Sequence, residues 1–169
     1  MDEPTTGFED LDVGRSWESA ERLVTHDDVV AFAHLTGDLN PIHTDPEFAR
    51  KTPYRRPVAH GLLGVGIAAG LMEASSKVRM LAFLTIRRWE FLLPIFPGDR
   101  IRTVTTVLSK EPRGRGRRGA VVWGMAVLNQ DGHAVQRSET VTLVGASQRP
   151  GEAGRSLADG AGRAAGAEA

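Results

Sequence analysis

HGLLGVGIAAGLMEASSK, residues 60–77, is apolar on nearly every side of a helical projection. A surface helix would show one polar face, so this stretch predicts a buried helix. Gly61, Gly64, Gly66 and Gly70 each weaken a helix interior by about 0.8–1 kcal/mol against alanine, with Gly61 spared if it stands at the cap. Such a helix is poor in isolation. Its surroundings must stabilise it, and its small residues permit close approach of other backbone. Composition alone also permits a strand here. The length of the run and its polar ending, Glu73–Lys77, favour the helix.

Downstream the pattern changes to alternation. Ala82–Leu93, Arg100–Lys110, Gly119–Asn129 and Ala134–Val144 read as strands. Pro94, Pro97-Gly98-Asp99, Glu111–Arg118 and Gln130-Asp131-Gly132 separate them, the last being a hairpin signal. A long buried helix followed by antiparallel strands predicts an α+β domain with the helix against a sheet. Upstream, Leu11–Thr25 holds an extended segment with Trp17 as an anchor. Thr25-His26-Asp27-Asp28 reads as a helix start, with Thr25 as cap, Asp28 at the capping-box position and both acids at the positive end of the dipole. Val29, Phe32, Ala33 and Leu35 keep helical periodicity up to a stop at Gly37, and Asp45–Arg50 fits one short helical turn.

The chain has 169 residues, about one domain's worth. Residues 8–145 carry the pattern, 1–7 read as a flexible N-terminus and 146–169 as a disordered Gly/Ala-rich tail. Formal net charge is zero, which gives no basis for electrostatic capture of nucleic acid or an anionic membrane. There is no cysteine, hence no disulfide, thiolate metal site or cysteine nucleophile. The acidic start, MDEPTTGFED, is no secretory signal, and Gly61–Met72 is too short and glycine-rich to span a bilayer. A soluble cytoplasmic protein is the expectation.

The chemistry concentrates in LTGDLNPIH, residues 35–43, and VAHGL, residues 58–62. The first places a carboxylate (Asp38), a carboxamide (Asn40) and an imidazole (His43) within six residues; the second adds His60 where the long helix begins. A carboxylate and an imidazole held on one turn can share a proton with a single water. Asp38 and His43 stand five apart, so they would not share a helical face, and Gly37 and Pro41 break any helix between them. A plainer reading of the same residues stays open: a helix stop and a turn, with Asp38 and Asn40 bonded to nearby backbone and His43 on a loop. His26, His34 and His133 read as surface or packing residues, and a metal site from His34, Asp38 and His43 is the weaker reading beside water activation.

FAHLTGDLNPIH (residues 32–43), then Asp45-Pro46 with Phe48-Ala49, then RPVAHG (residues 56–61), resembles the hydratase signature of the MaoC-like, (R)-specific enoyl-CoA hydratase family. The resemblance runs from about residue 8 to about residue 145. It implies the hot-dog fold, in which a curved antiparallel sheet wraps a long central helix, and a 2-enoyl-thioester hydratase, or the same enzyme in reverse as a 3-hydroxyacyl-thioester dehydratase. It implies that Asp38 and His43 bind and activate the water. The backbone N–H of Gly61, at a helix N-terminus, suits an oxyanion as the thioester carbonyl gains charge. Asn40 supports the turn, and His60 caps the helix or packs beside the site. Some family members carry a serine in the central helix where this chain has Ala69, so one polar contact is missing.

No metal and no cofactor is implied. Coenzyme A or the phosphopantetheine of an acyl-carrier protein enters as part of the substrate, and an acyl-carrier protein is then a partner. Two arginine groups suit its phosphates, Arg55-Arg56 and Arg113, Arg115, Arg117 and Arg118, although a solvated loop is the plainer reading of each. The resemblance also implies a homodimer, with sheets paired edge to edge. The competing functions are a hot-dog thioesterase, disfavoured because Gly61–Met72 carries no acid and Glu73 comes late, and a non-catalytic acyl-thioester-binding subunit, favoured only by Ala69.

Overall fold

The computed structural model describes residues 5–114 and 117–147. Two short strands, β1 (Ser16–Glu18) and β2 (Arg22–Leu23), precede α1 (His26–Thr36), α2 (Pro41–Thr44) and α3 (Pro46–Ala49). The long helix α4 (Gly61–Ser76) follows, then β3 (Met80–Phe91), β4 (Arg100–Arg113), β5 (Arg118–Asn129) and β6 (Ala134–Val144).

A capping box opens α1. Thr25 Oγ1 accepts the Asp28 N–H at 3.0 Å, and Asp28 Oδ2 accepts the Thr25 N–H at 2.9 Å. Gly37 closes the helix in the left-handed region at φ 77°, where a Cβ would be strained.

The strands form one antiparallel sheet in the order β1-β4-β5-β6-β3, and β2 also pairs with β4. Register shifts interrupt the β3–β6, β4–β5 and β5–β6 ladders, which is how a long sheet bends. Helix α4 lies against β4 and β1 and contributes Ile67, Ala68 and Met72 to a core shared with Ile101, Val107, Val121, Trp123 and Val127. Trp123 is fully buried, and its Nε1–H donates to Thr142 Oγ1 at 2.8 Å. Trp17, the expected anchor, packs on that core with its ring centroid 6.1 Å from Trp123's. The α+β architecture is the hot-dog arrangement that the resemblance implies.

Several expectations change. Helix α4 is not buried all round: Leu62, Gly66, Ala69, Gly70 and Glu73 are exposed, because the sheet covers only one side of it. Its glycines admit side chains rather than backbone. A Cβ on Gly61 would stand 2.8 Å from Phe91 Cε1 and one on Gly64 2.5 Å from Gln136 Nε2, whereas Gly66 and Gly70 face open space. Strand β4 runs through Glu111 and Pro112 to Arg113, shortening the expected turn.

Residues 5–7, expected to be part of a flexible N-terminus, are tied down. Thr6 N–H donates to Lys77 O and accepts through its carbonyl from Arg79 N–H, and Phe8 N–H donates to Gly145 O. Unpaired backbone groups beside β3 are satisfied this way. Residues 1–4 and 148–169, including most of the expected tail, lie outside the described residues, while Ala146 and Ser147 are described.

Candidate active site

Asp38 is delivered by the stop of α1. After Gly37 the chain turns tightly, with Asp38 N–H donating to Thr36 Oγ1 at 3.3 Å and Asn40 N–H to Asp38 Oδ1 at 3.4 Å. The Asp38 side chain is 55% exposed. His43 sits on α2, a single helical turn rather than the loop allowed above. Asn40 caps it by accepting the Ile42 N–H at 3.1 Å, and Pro41 occupies the first helical position, where its missing N–H costs nothing. Asn40 therefore caps the turn that carries His43.

Residues 58–60 are clamped from several sides. Val58 N–H donates to Ile42 O at 3.2 Å and Ala59 N–H to Ile95 O at 2.8 Å. His43 Nδ1 lies 2.7 Å from Val58 O. A carbonyl can only accept, so Nδ1 carries a proton, and in the tautomer with that bond the lone pair lies at Nε2.

By the same logic His60 Nε2 donates to Asp38 O at 2.9 Å. His60 is 2% exposed and occupies the N-cap position of α4, yet it makes no capping hydrogen bond. Its Nδ1 is buried with no partner among the described residues. Its ring stacks on His43, centroids 3.8 Å apart and planes at 28°, with Phe32 on it at 5.0 Å. His60 thus packs against His43 and Phe32 and does not cap α4 with its side chain.

Asp38, His43 and His60 each offer a ligand atom within 4.8 Å of the others. His34 does not belong to this cluster and is exposed, as are His26 and His133. Lone pairs of imidazole lie in the ring plane. Two rings stacked at 28° direct theirs nearly side by side rather than to one point, which does not suit a metal centre.

A cleft of about 330 Å³ opens beside the pair. His43, His60 and Gly61 form its polar end, Tyr54, Val58, Leu92, Leu93 and Ile95 much of its apolar wall, and Phe91 and Gln136 close it against α4. Gly61 begins α4, so its N–H has no partner within the helix. Ala69 does not line this cleft; it lies on the exposed face of α4, eight residues and about 12 Å beyond Gly61.

The arginines separate. Arg55, with φ 63°, and Arg56, whose guanidinium lies 3.8 Å over the Phe96 ring, adjoin Tyr54 at the cleft. Arg113, Arg117 and Arg118 are exposed at the far end of the sheet: Phe91 pairs with Gln136 but Gly119 pairs with Val144, eight residues or about 26 Å along β6. Arg115 lies outside the described residues. Sequence reasoning missed Gln136, Phe91 and Tyr54, since nothing local marks a residue that completes a cleft from another element.

Comparison with known proteins agrees with this architecture. The sequence model of the MaoC like domain matches residues 10–126. The 3-hydroxybutyryl-CoA dehydratase of Methylorubrum extorquens is 32% identical over 108 residues, covering 64% of this chain and 68% of that protein. The (R)-specific enoyl-CoA hydratase of Aeromonas caviae is 35% identical over 91 residues, covering 54% of this chain and 66% of that protein. The match thus spans about two thirds of each relative's length. The crystal structure of the MaoC-like dehydratase from Rhodospirillum rubrum superposes with a TM-score of 0.70 at 30% identity, over 85% of this chain and 98% of that one. Family sequence, hot-dog architecture and the Asp38–His43 turn coincide, and this chain belongs to the MaoC-like dehydratase family.

Proposed function

We propose that this protein is a hydro-lyase that adds water across the double bond of a trans-2-enoyl thioester to give the (R)-3-hydroxyacyl thioester, and catalyses the reverse dehydration. The observation that carries the reading is the 2.7 Å contact between His43 Nδ1 and Val58 O. With Nδ1–H committed to Val58 O, Nε2 accepts a hydrogen bond. The Asp38 carboxylate accepts another. A water donating one hydrogen to each keeps a lone pair directed at C3 of the substrate. As its oxygen bonds to C3, one proton passes to the Asp38–His43 pair and the C2=C3 electrons move toward the thioester oxygen. The Gly61 N–H stabilises the charge there, and C2 then takes the proton held by the Asp38–His43 pair, which restores the pair. The reaction changes no oxidation state overall and calls for no redox cofactor.

The apolar wall of the cleft suits an acyl chain, and Arg55 and Arg56 beside Tyr54 suit the phosphates of coenzyme A or of a phosphopantetheine arm. The second copy expected of a hot-dog protein has a natural place on β3. Among the described residues this edge strand pairs on one side only, with β6, and leaves Leu81, Phe83, Leu84 and Ile86 exposed. No helix among the described residues is long and apolar enough to cross a membrane.

Incubation with trans-2-butenoyl-CoA tests the activity. Formation of the (R)-3-hydroxy product, with loss of enoyl absorbance, is expected. Release of free coenzyme A without that product would indicate a thioesterase, and binding without turnover an acyl-binding subunit.

A further inference from the structure

Gln136, like His60, is a buried polar residue of the cleft that the reaction above leaves unused. It lies on β6 and is 2% exposed. Burying a carboxamide is costly unless both ends are paired. Both are: Trp89 Nε1–H donates to Gln136 Oε1 at 3.2 Å, and Gln136 Nε2–H donates to Gly61 O at 3.1 Å. An indole N–H only donates and a carbonyl only accepts, so the amide has one allowed orientation.

The packing around this relay is tight. Phe91, the cross-strand partner of Gln136, lays its ring on Gly61, and Gln136 Nε2 fills the place of a side chain at Gly64. Two glycines one turn apart therefore admit two side chains from the β3–β6 pair. Their cost to the helix is offset by a fixed seat for its first turn. Hydrogen bonds inside the helix set the pitch of that turn, but they do not set where it points relative to the sheet. Gln136 is the described side chain that bonds polar-to-polar from the sheet to the first residue of α4.

We infer that Gln136, oriented by Trp89, is a positioning residue that aims the Gly61 N–H at the thioester carbonyl. This rests on the hydro-lyase reading and assigns the aim of its oxyanion donor to a residue on another element. A donor that must meet charge in the transition state loses its effect when displaced, while ground-state binding, spread over the apolar wall, changes little.

The test compares wild type, Gln136→Met and Trp89→Phe with trans-2-butenoyl-CoA. Gln136→Met keeps length and apolar packing but removes both hydrogen bonds. Trp89→Phe leaves Gln136 in place and removes its orienting donor together with part of the ring packed on the core, which keeps the test alive if the methionine variant does not fold. Circular dichroism at the assay temperature establishes that the compared proteins are folded. A fall in kcat of about 10–100-fold is expected for Gln136→Met, with KM within about threefold, and a smaller fall in kcat for Trp89→Phe. Wild-type kcat in a folded Gln136→Met enzyme, a rise in KM alone, or, where that variant does not fold, wild-type kcat in Trp89→Phe would overturn the inference and leave the hydro-lyase reading intact. Absence of turnover by the wild-type protein would overturn both.

Discussion

His43 and His60 stack at 3.8 Å, and each spends one ring nitrogen on a backbone carbonyl, His43 on Val58 and His60 on Asp38. The two candidate catalytic groups are thus joined through a third residue. His60 holds the backbone of one and the ring face of the other. On the proposed mechanism, these contacts orient the Asp38–His43 pair without His60 having to exchange a proton with substrate.

Replacing His60 by phenylalanine separates these contributions. An aromatic ring keeps the stack on His43 but loses the hydrogen bond to Asp38 O. It also removes Nδ1, a buried acceptor without a partner among the described residues, whose burial costs about 1–3 kcal/mol. His60→Phe should therefore keep or raise the unfolding midpoint while lowering turnover by about tenfold, the kinetic equivalent of one lost hydrogen bond. Calorimetry and steady-state kinetics on the same preparation check this. A drop in both stability and rate would point to a packing role alone.

The start of α1 offers a pH-dependent test of stability. Partial burial of Asp28 disfavours its charged form, but the Thr25 backbone and side chain and the Arg22 guanidinium outweigh this and hold its carboxyl below the usual aspartate range. A folded-state value below the unfolded 3.8 contributes stability that is fully present above about pH 4–5 and is lost as pH falls through the folded value. Asp28→Asn should lower stability at pH 7, and its difference from wild type should shrink in acid. Thr25→Ala, which removes the other half of the box, should cost about 1 kcal/mol. Urea unfolding at pH 7 and pH 3 measures both.

Much of this was legible in the sequence where the signal is local. Thr25, Asp28 and Gly37 announce α1 because capping is settled within a few residues of chain, and the four long strands follow from alternation. Helix α2 is too short for periodicity, although Asn40 before Pro41 carried its start signal. The exposed face of α4 was illegible: apolar residues all round say nothing about how much of the circumference a sheet covers. Gln136 was hidden because a polar residue in a strand reads as outward until the helix it bonds is known.

The edge of β3 predicts an assembly. Light scattering at micromolar concentration should show more than a monomer. Phe83→Lys, a charge on the exposed edge strand, should shift the protein toward monomer, because lysine on an edge opposes strand addition. Phe83 is 56% exposed, so the unfolding midpoint extrapolated to low protein concentration should change little. A wild-type monomer with full activity would remove the second copy from the functional unit.

The pair itself is tested by treating Asp38 and His43 as one device. Asp38→Asn keeps the size of the side chain and an oxygen able to accept the Asn40 N–H, but removes the base. His43→Gln keeps a polar group and removes the ring that stacks on His60 and bonds Val58. Each single variant should lose at least about 10²-fold in turnover, within the range of a general acid–base group. Both residues are proposed to act on the same water, so their effects should not add. The double variant should be little slower than the poorer single one, as residues acting as a unit behave. Asp38 is exposed, so the Asp38→Asn protein should unfold at nearly the wild-type temperature, and its lost rate cannot be put down to lost fold. Near-normal turnover of folded Asp38→Asn would leave Asp38 as a turn residue after Gly37. It would also mean that the water is activated elsewhere.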